Sequence, residues 1–341
     1  VFALFAVAAA IPRHPLDGIA VAAYSGVLLV CAVVAARRPA LAVAALIALD
    51  AFDLYRDVGP TTLTLPKMAL LGTIAGLCVR RPSLRVLSDR ATLALAFGGA
   101  LIAATTALSI TQAAYPLEAI RQTLKAVEFL VLFATVVIAM RADPDERCVR
   151  IALALTVAVV SALAITQEFG TAPSVLLYAG GVLPRIAGPL EGPNQLSGYY
   201  GITLPVIAAY MLLRTPLRSE LAALILGVFA LILTYSRAGI VATLLALALV
   251  IALAPSARKR AVALLTAAAA FAGFAVLVAA AKTLGVLWHF GVMSNDYGAG
   301  GVGNRSALWH AAIALWRQHP WLGICAGNFE FEIGRVGPQG V

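Results

Sequence analysis

Charge is scarce in this chain of 341 residues: only 12% are Asp, Glu, Lys or Arg, while 62% are hydrophobic. Soluble domains carry about a quarter charged residues, so a mean hydropathy of +0.94 excludes an ordinary soluble globule. Cysteine is equally sparse. Cys31, Cys78, Cys148 and Cys325 show no CxxC spacing, so neither an internal disulfide nor a cysteine metal site is expected. The four histidines, His14, His289, His310 and His319, are scattered and no HExxH occurs, so no metal and no other cofactor is called for. Period-two alternation is missing from the apolar runs, which argues against a β-barrel.

Long Ala- and Leu-rich runs stand where charge is missing. At about 1.5 Å per residue across about 30 Å of hydrocarbon they can span a bilayer as helices, some with tilt or local thinning. Spans are predicted near 1–11, 19–36, 40–52, 63–79, 91–109, 124–140, 148–166, 196–213, 220–234, 238–254 and 261–282. The expected fold is therefore an all-α, polytopic membrane helix bundle of about eleven spans over 1–282, with a loop at 167–195. Residues 283–341 then open a large loop outside the membrane. The chain begins at Val1 in an apolar run too short to cross and without the charged start of a signal peptide, so its first residues are read as part of a helix.

Charge asymmetry orients the bundle. The turns at Arg37–Arg38, 80–90, 141–150, 214–218 and 258–260 alternate with the other set and hold 14 of the 25 Lys and Arg. Basic turns stay in the cytoplasm. The loop 167–195, Arg237 and everything after 282 then face the periplasm or cell exterior. The formal net charge of +9 is a signal of topology, so the expected partner is the lipid bilayer and no nucleic acid.

Arg237 lies between the apolar runs 220–234 and 238–254 with almost no turn to hold it, which puts it at a hairpin tip on one membrane face. A guanidinium stays charged and costs about 2.5–3.5 kcal/mol at a helix centre, less near the surface. Either it snorkels as an anchor, or its planar five-donor fork clamps an anion such as phosphate. In the Gly- and Pro-rich loop 167–195, expected to be irregular backbone over the bundle, Arg185 and Asn194 bracket GPLEGPN. Asn194 also suits the N-cap of the next helix.

After 282, GAGGVG at 298–303 formally matches GxGxxG, but no strand precedes it and no βαβ unit surrounds it. An amphipathic helix is predicted over 304–318, capped by Asn304, with Leu308, Trp309, Ala312, Leu315 and Trp316 on one stripe suited to the membrane surface. Arg305 sits in its first turn, where backbone N–H groups and the helix dipole favour an anion; a solvated loop arginine is the alternative. His319 and Pro320 end the helix. Near the outer end of another span, Arg121, Lys125 and Glu128 form a stripe, read as a charge network or as Arg121 reaching a lipid phosphate.

Three blocks, PRIAGPLEGPNQLSGYYGITLP at 184–205, TYSRAG at 234–239 and NRSALWHAAIALWRQHPWLGICAGNF at 304–329, follow one another between apolar helices. In this order and spacing they resemble the O-antigen ligase and polymerase superfamily of membrane glycosyltransferases, over roughly 120–341. The resemblance implies a GT-C-type helical fold in a bacterial plasma (inner) membrane, with the active site on the periplasmic or extracellular face. It implies a donor glycan on undecaprenyl pyrophosphate and transfer to an acceptor hydroxyl on a lipid, a glycan or a protein, without a metal. Arg237 and Arg185 are then the catalytic residues expected to meet the pyrophosphate, with Arg305, Asn194 and Arg121 as substrate-binding candidates. Glu191 positions a sugar hydroxyl or pairs with Arg185, the pairing being preferred. The family's later histidine, linked to acceptor activation, has no counterpart before Val341, and His319 does not fill that place. The general base and closing helices are expected beyond Val341.

A secondary transporter or exporter of lipid or polysaccharide is the rival, resting on Asp50 and Glu128 as carboxylates near span ends. Self-similar halves and paired broken helices, its usual marks, are not found in the sequence. A purely structural subunit leaves the outer arginines without a role.

Overall fold

The computed structural model describes residues 15–52, 55–58, 61–83, 89–170, 174–178, 181–254, 256 and 302–336; within 15–21, 55–63, 174–184, 302–307 and 334–336 it describes backbone alone. The predicted spans 1–11 and 261–282 and the basic turn 258–260 lie outside the described residues. Each of the other nine predicted spans coincides with a helix. These are α1 (Pro15–Arg37), α2 (Pro39–Asp50), α3 (Leu65–Arg80), α4 (Arg90–Ser109), α5 (Pro116–Ala142), α6 (Glu146–Glu168), α7 (Pro193–Leu213), α8 (Arg218–Leu233) and α9 (Arg237–Ala252). Two more follow, α10 (Val302–Gln318) and α11 (Phe329–Val336). Among the described residues, four helices are long and apolar enough to cross a membrane: α4 with the 3-10 turn that extends it to Gln112, α5, α6 and α7. Ala22–Arg37, Pro39–Asp50 and Arg237–Ala252 are shorter apolar helices.

Local chemistry starts and stops these helices. Thr64, Asp89 and Asp145 each accept a hydrogen bond from a backbone N–H of the following first turn, the ordinary role of an N-cap oxygen. Pro193 opens α7, where its missing N–H costs nothing. The two interruptions are not irregular throughout. β1 (Tyr55–Val58) pairs antiparallel with β2 (Thr61–Thr64), and β3 (Ser174–Tyr178) with β4 (Gly181–Arg185). Short Val-, Leu- and Thr-bearing segments around Gly59-Pro60 and Gly180-Gly181 carry the hairpin signal. The loop 167–195 thus contains a hairpin where irregular backbone was expected.

The chain divides into two compact units, Val1–Arg81 with Ala142–Leu287, and Pro82–Arg141 with Trp288–Val341. In the first, α3 packs on α1 through Gly72 and Gly76: an added Cβ would lie 2.3 Å from the Leu28 carbonyl oxygen and 2.2 Å from that of Ala32. This is a small-xxx-small contact, which brings backbones together where lipid supplies no hydrophobic drive. The core of the unit joins α6, α7 and α8 around Val157, Tyr200, Leu204 and Ala223, with Ile186 from the loop before α7. Ser161 Oγ and Tyr200 OH satisfy each other inside it at 2.9 Å.

In the second unit the turn between α10 and α11 is tied to the start of α5. Asn328, fully buried, accepts from Tyr115 N–H at 2.7 Å, and its amide donates to the Tyr115 carbonyl at 3.4 Å. Its own carbonyl opens α11 by accepting from Phe331 and Glu332. Gly327 before it, at φ +80°, passes so close to α5 that an added Cβ would meet Gln122 at 2.9 Å. Helix α10 begins at Val302, so Asn304 lies inside its first turn and is not the cap the sequence suggested. The expected stripe also splits. Leu315 turns inward with Ala311, whereas Trp309 is 71% and Trp316 60% exposed.

Candidate functional site

In the first unit the N-terminal ends of α7 and α9 meet. Gly239, in the first turn of α9, lies so near Ser197 that an added Cβ would be 2.4 Å from both its Cβ and its Oγ. The turn into α9 is buried and bent: Thr234, Tyr235 and Ser236 are buried, Tyr235 holds φ +50°, and Thr234 Oγ1 accepts from Ser236 N–H at 3.2 Å. A non-glycine residue there costs about 1–3 kcal/mol and persists only where packing imposes it. Ser236, the N-cap, makes no side-chain cap, so the first N–H groups of α9 keep their positive end uncapped by that hydroxyl.

The segment before α7 is pinned as well. Gln167, at the end of α6, accepts from the N–H groups of Ala187 and Gly188 at 2.9 Å each and donates to the Gly188 carbonyl at 2.9 Å. Gly188, at φ +62°, lets that turn lie on Ala164 and Val160. Arg185 lies two residues upstream of this clamp. Arg185 Nε donates to the Thr234 carbonyl at 3.0 Å, and Nη2 to Asn194 Oδ1 at 3.2 Å.

The structure therefore brings together Arg185, Asn194 and the turn that begins with Thr234 and delivers Arg237. Arg237 is the first residue of α9, half-buried, and among the described residues its guanidinium has no hydrogen-bond or ion-pair partner. Two readings need correction. Asn194 is the second residue of α7, makes no cap and spends its carbonyl oxygen on Arg185; Pro193 had already opened the helix. Glu191 is exposed and does not pair with Arg185, since the Asn194 amide and the Thr234 carbonyl lie where the guanidinium points.

Arg121 and Arg305 belong to the second unit. Arg121 is in ion-pair contact with Glu118, one turn earlier on α5, a partner the stripe with Lys125 and Glu128 did not include. Arg305 falls in the first turn of α10, with only its backbone described. Sequence reasoning missed Gln167, Thr234 and Gly239 as positioning residues. The signal for Gly239 was the glycine two places after Arg237.

Toward the basic turns, Arg150, Arg214 and Arg38 are each paired with a carboxylate. Arg150 makes a bidentate pair with Glu220, Nε–Oε1 at 2.7 Å and Nη2–Oε2 at 2.8 Å, and donates to the Thr215 carbonyl at 2.8 Å. Both side chains are buried, at 8% and 1% exposure, and Glu220 also accepts from Leu217 N–H at 2.9 Å. Arg214 forks onto Glu146 at 3.0 Å, Arg38 reaches Asp143 and Asp145 at 3.7 and 3.4 Å, and Arg80 donates to the carbonyls of Ala36, Arg37 and Ala142.

Residues 222–340, about a third of the chain, match the family model described as O-Antigen ligase. The match supports assignment to the O-antigen ligase and polymerase superfamily. With the apolar helices, the match is a likeness to a membrane glycosyltransferase of the O-antigen ligase or polymerase kind over about a third of the chain. The matched segment holds Arg237 and Arg305 and begins after Arg185 and Asn194. No curated protein and no solved structure gave a significant match.

Proposed function

We propose that this O-antigen ligase-like protein transfers a glycan from undecaprenyl pyrophosphate to an acceptor hydroxyl on a lipid, a glycan or a protein. The reaction takes place at the outer face of the bacterial plasma membrane, on a GT-C-type bundle of about eleven spans. The observation that carries this reading is Arg237: a half-buried guanidinium at the positive end of α9, without a protein partner among the described residues, three residues after the Thr234 carbonyl to which Arg185 donates. A half-buried charge is costly unless something compensates it, and a pyrophosphate is the complementary group.

The acceptor oxygen attacks the anomeric carbon, and its proton passes to a general base outside this constellation. As the new glycosidic bond forms, the bond from anomeric carbon to pyrophosphate breaks with inversion, and the electron pair leaves with the lipid pyrophosphate. Arg237 and Arg185 stabilise the charge that develops on that leaving group. Preorganised donors of this kind are worth about 10²–10³ in rate each. Arg305, at the head of α10, and Arg121 are proposed as substrate-binding residues of the second unit. No metal is invoked.

The test replaces Arg237 by Lys in the full-length protein and measures transfer from a defined lipid-pyrophosphate donor. Lysine keeps the charge and loses the planar fork, so transfer falls strongly at unchanged abundance and insertion. Arg38→Lys, at the basic end, is the control and leaves transfer near normal. Near-normal transfer by Arg237→Lys would return Arg237 to a membrane anchor and remove the clamp.

A further inference from the structure

The second unit contains a surface cavity of about 440 Å³ between the end of the α4 segment and the α10–α11 turn. Gln112, Gln318, His319 and Glu332 supply its polar lining, with Leu315 and Ile324 as its apolar wall. Among the described residues, the side chains of Gln112, Gln318 and His319 make no hydrogen bond to the protein, although together they offer amide donors, carbonyl acceptors and an imidazole. No arginine or lysine lines the cavity. That composition does not suit a phosphate, which calls for cations. It suits a neutral ligand that presents several hydroxyls, each able to donate and accept.

Ile324 is shared with a second cavity of about 290 Å³, lined by Thr105, Thr106 and Ser109 and by Trp321. Trp321 is 93% exposed. An exposed aromatic face in that lining can stack on a ligand with an apolar face of its own. The ring face of a pyranose, with its axial C–H groups, is such a surface, and its equatorial hydroxyls match the carboxamides next door.

We infer that the paired cavities flanking Ile324 form a binding subsite for neutral sugar units, one residue over the Gln112–Gln318–His319–Glu332 pocket and the next against Trp321. This rests on the glycosyl-transfer reading for its biological ligand, and it assigns the sugar and the pyrophosphate to different residues. The pair of Asn328 contacts to Tyr115 holds the α10–α11 turn in place, so the subsite is built on an anchored turn.

Two probes separate the possible sources of the glycan: the repeat-unit oligosaccharide released by mild acid from the lipid-linked donor, and the oligosaccharide portion of the acceptor. Each is titrated, by calorimetry, into the full-length protein in nanodiscs. One of the two binds saturably, and the joint Gln112→Ala and Gln318→Ala variant weakens that binding by about tenfold, as expected for the loss of two or more hydrogen bonds. Trp321→Ala weakens it to a similar degree, inorganic pyrophosphate does not compete, and Arg237→Lys leaves it unchanged. Binding of neither oligosaccharide, wild-type affinity in both cavity variants, or displacement by pyrophosphate each overturns the subsite. Failure of the pyrophosphate clamp would instead appear as intact transfer in Arg237→Lys, with sugar binding unaffected.

Discussion

The two ends of the α6–α9 bundle treat arginine in opposite ways. Where α6 and α8 begin, Arg150 is buried against Glu220 through two hydrogen bonds and Arg214 forks onto Glu146. Where α7 and α9 begin, Arg185 is held by an amide oxygen and a main-chain carbonyl, and Arg237 has no partner among the described residues. The same residue type is structural at one end, with its charge cancelled inside the protein. At the other, Arg185 donates to neutral oxygens, a contrast that the proposed pyrophosphate clamp takes as the mark of an anion site.

The comparison predicts that removing one partner of the buried pair does the most damage to stability. Glu220→Ala leaves Arg150 charged, buried and uncompensated, a loss of about 3–5 kcal/mol, whereas the joint change Arg150→Met and Glu220→Leu recovers most of it. Thermal unfolding of the purified protein checks both; a double variant no better than Glu220→Ala would show that the pair is needed for more than mutual neutralisation.

Gly239→Ala should come next. Its new Cβ meets Ser197 at 2.4 Å, so α9 must back away from α7 at a cost of about 1–3 kcal/mol, carrying Arg237 with it. Transfer activity falls more than stability does. Because the conflict is with the Ser197 side chain, Ser197→Gly in the same protein restores activity, and a failure to do so would locate the role of Gly239 in its backbone instead.

Orientation provides a smaller but decisive test. A cysteine in place of exposed Glu191 should react with an impermeant thiol reagent in intact cells, while one in place of exposed Arg214 should not, in a background without the native cysteines. The reverse pattern would put the unpartnered arginine in the cytoplasm. The smallest effect is expected from Arg214→Ala: its pair with Glu146 is open to water, and exposed ion pairs of this kind rarely contribute measurably. Activity and unfolding temperature should both stay within error.

Much of the fold was legible because burial in lipid demands apolar helices, and nine such runs between 19 and 254 each became a helix, four of them long and apolar enough to cross a membrane. Arg237 stood out for the same reason, as a charge with nothing apolar about it between two spans. The hairpin at 174–185 was less visible, since a five-residue Val- and Leu-bearing strand resembles any short apolar run. Asn194 shows the limit of local reasoning: a cap and a partner for a distant guanidinium require the same side-chain oxygen, and only the approach of Arg185 decided between them. For Trp309, Leu315 and Trp316, helical spacing placed all three on one stripe, yet packing buried Leu315 and left both tryptophans in the open.

What the sequence by itself determined was the class of molecule and the location of charge along it, because hydropathy and the alternation of basic turns act residue by residue and need no partner. What only the tertiary structure decided was which charges are compensated. The union of Arg150 with Glu220 spans 70 positions and that of Arg185 with the Thr234 carbonyl 49. Contacts so distant in sequence arise from how helices pack, and here packing turns on details as small as the absence of a Cβ at Gly239.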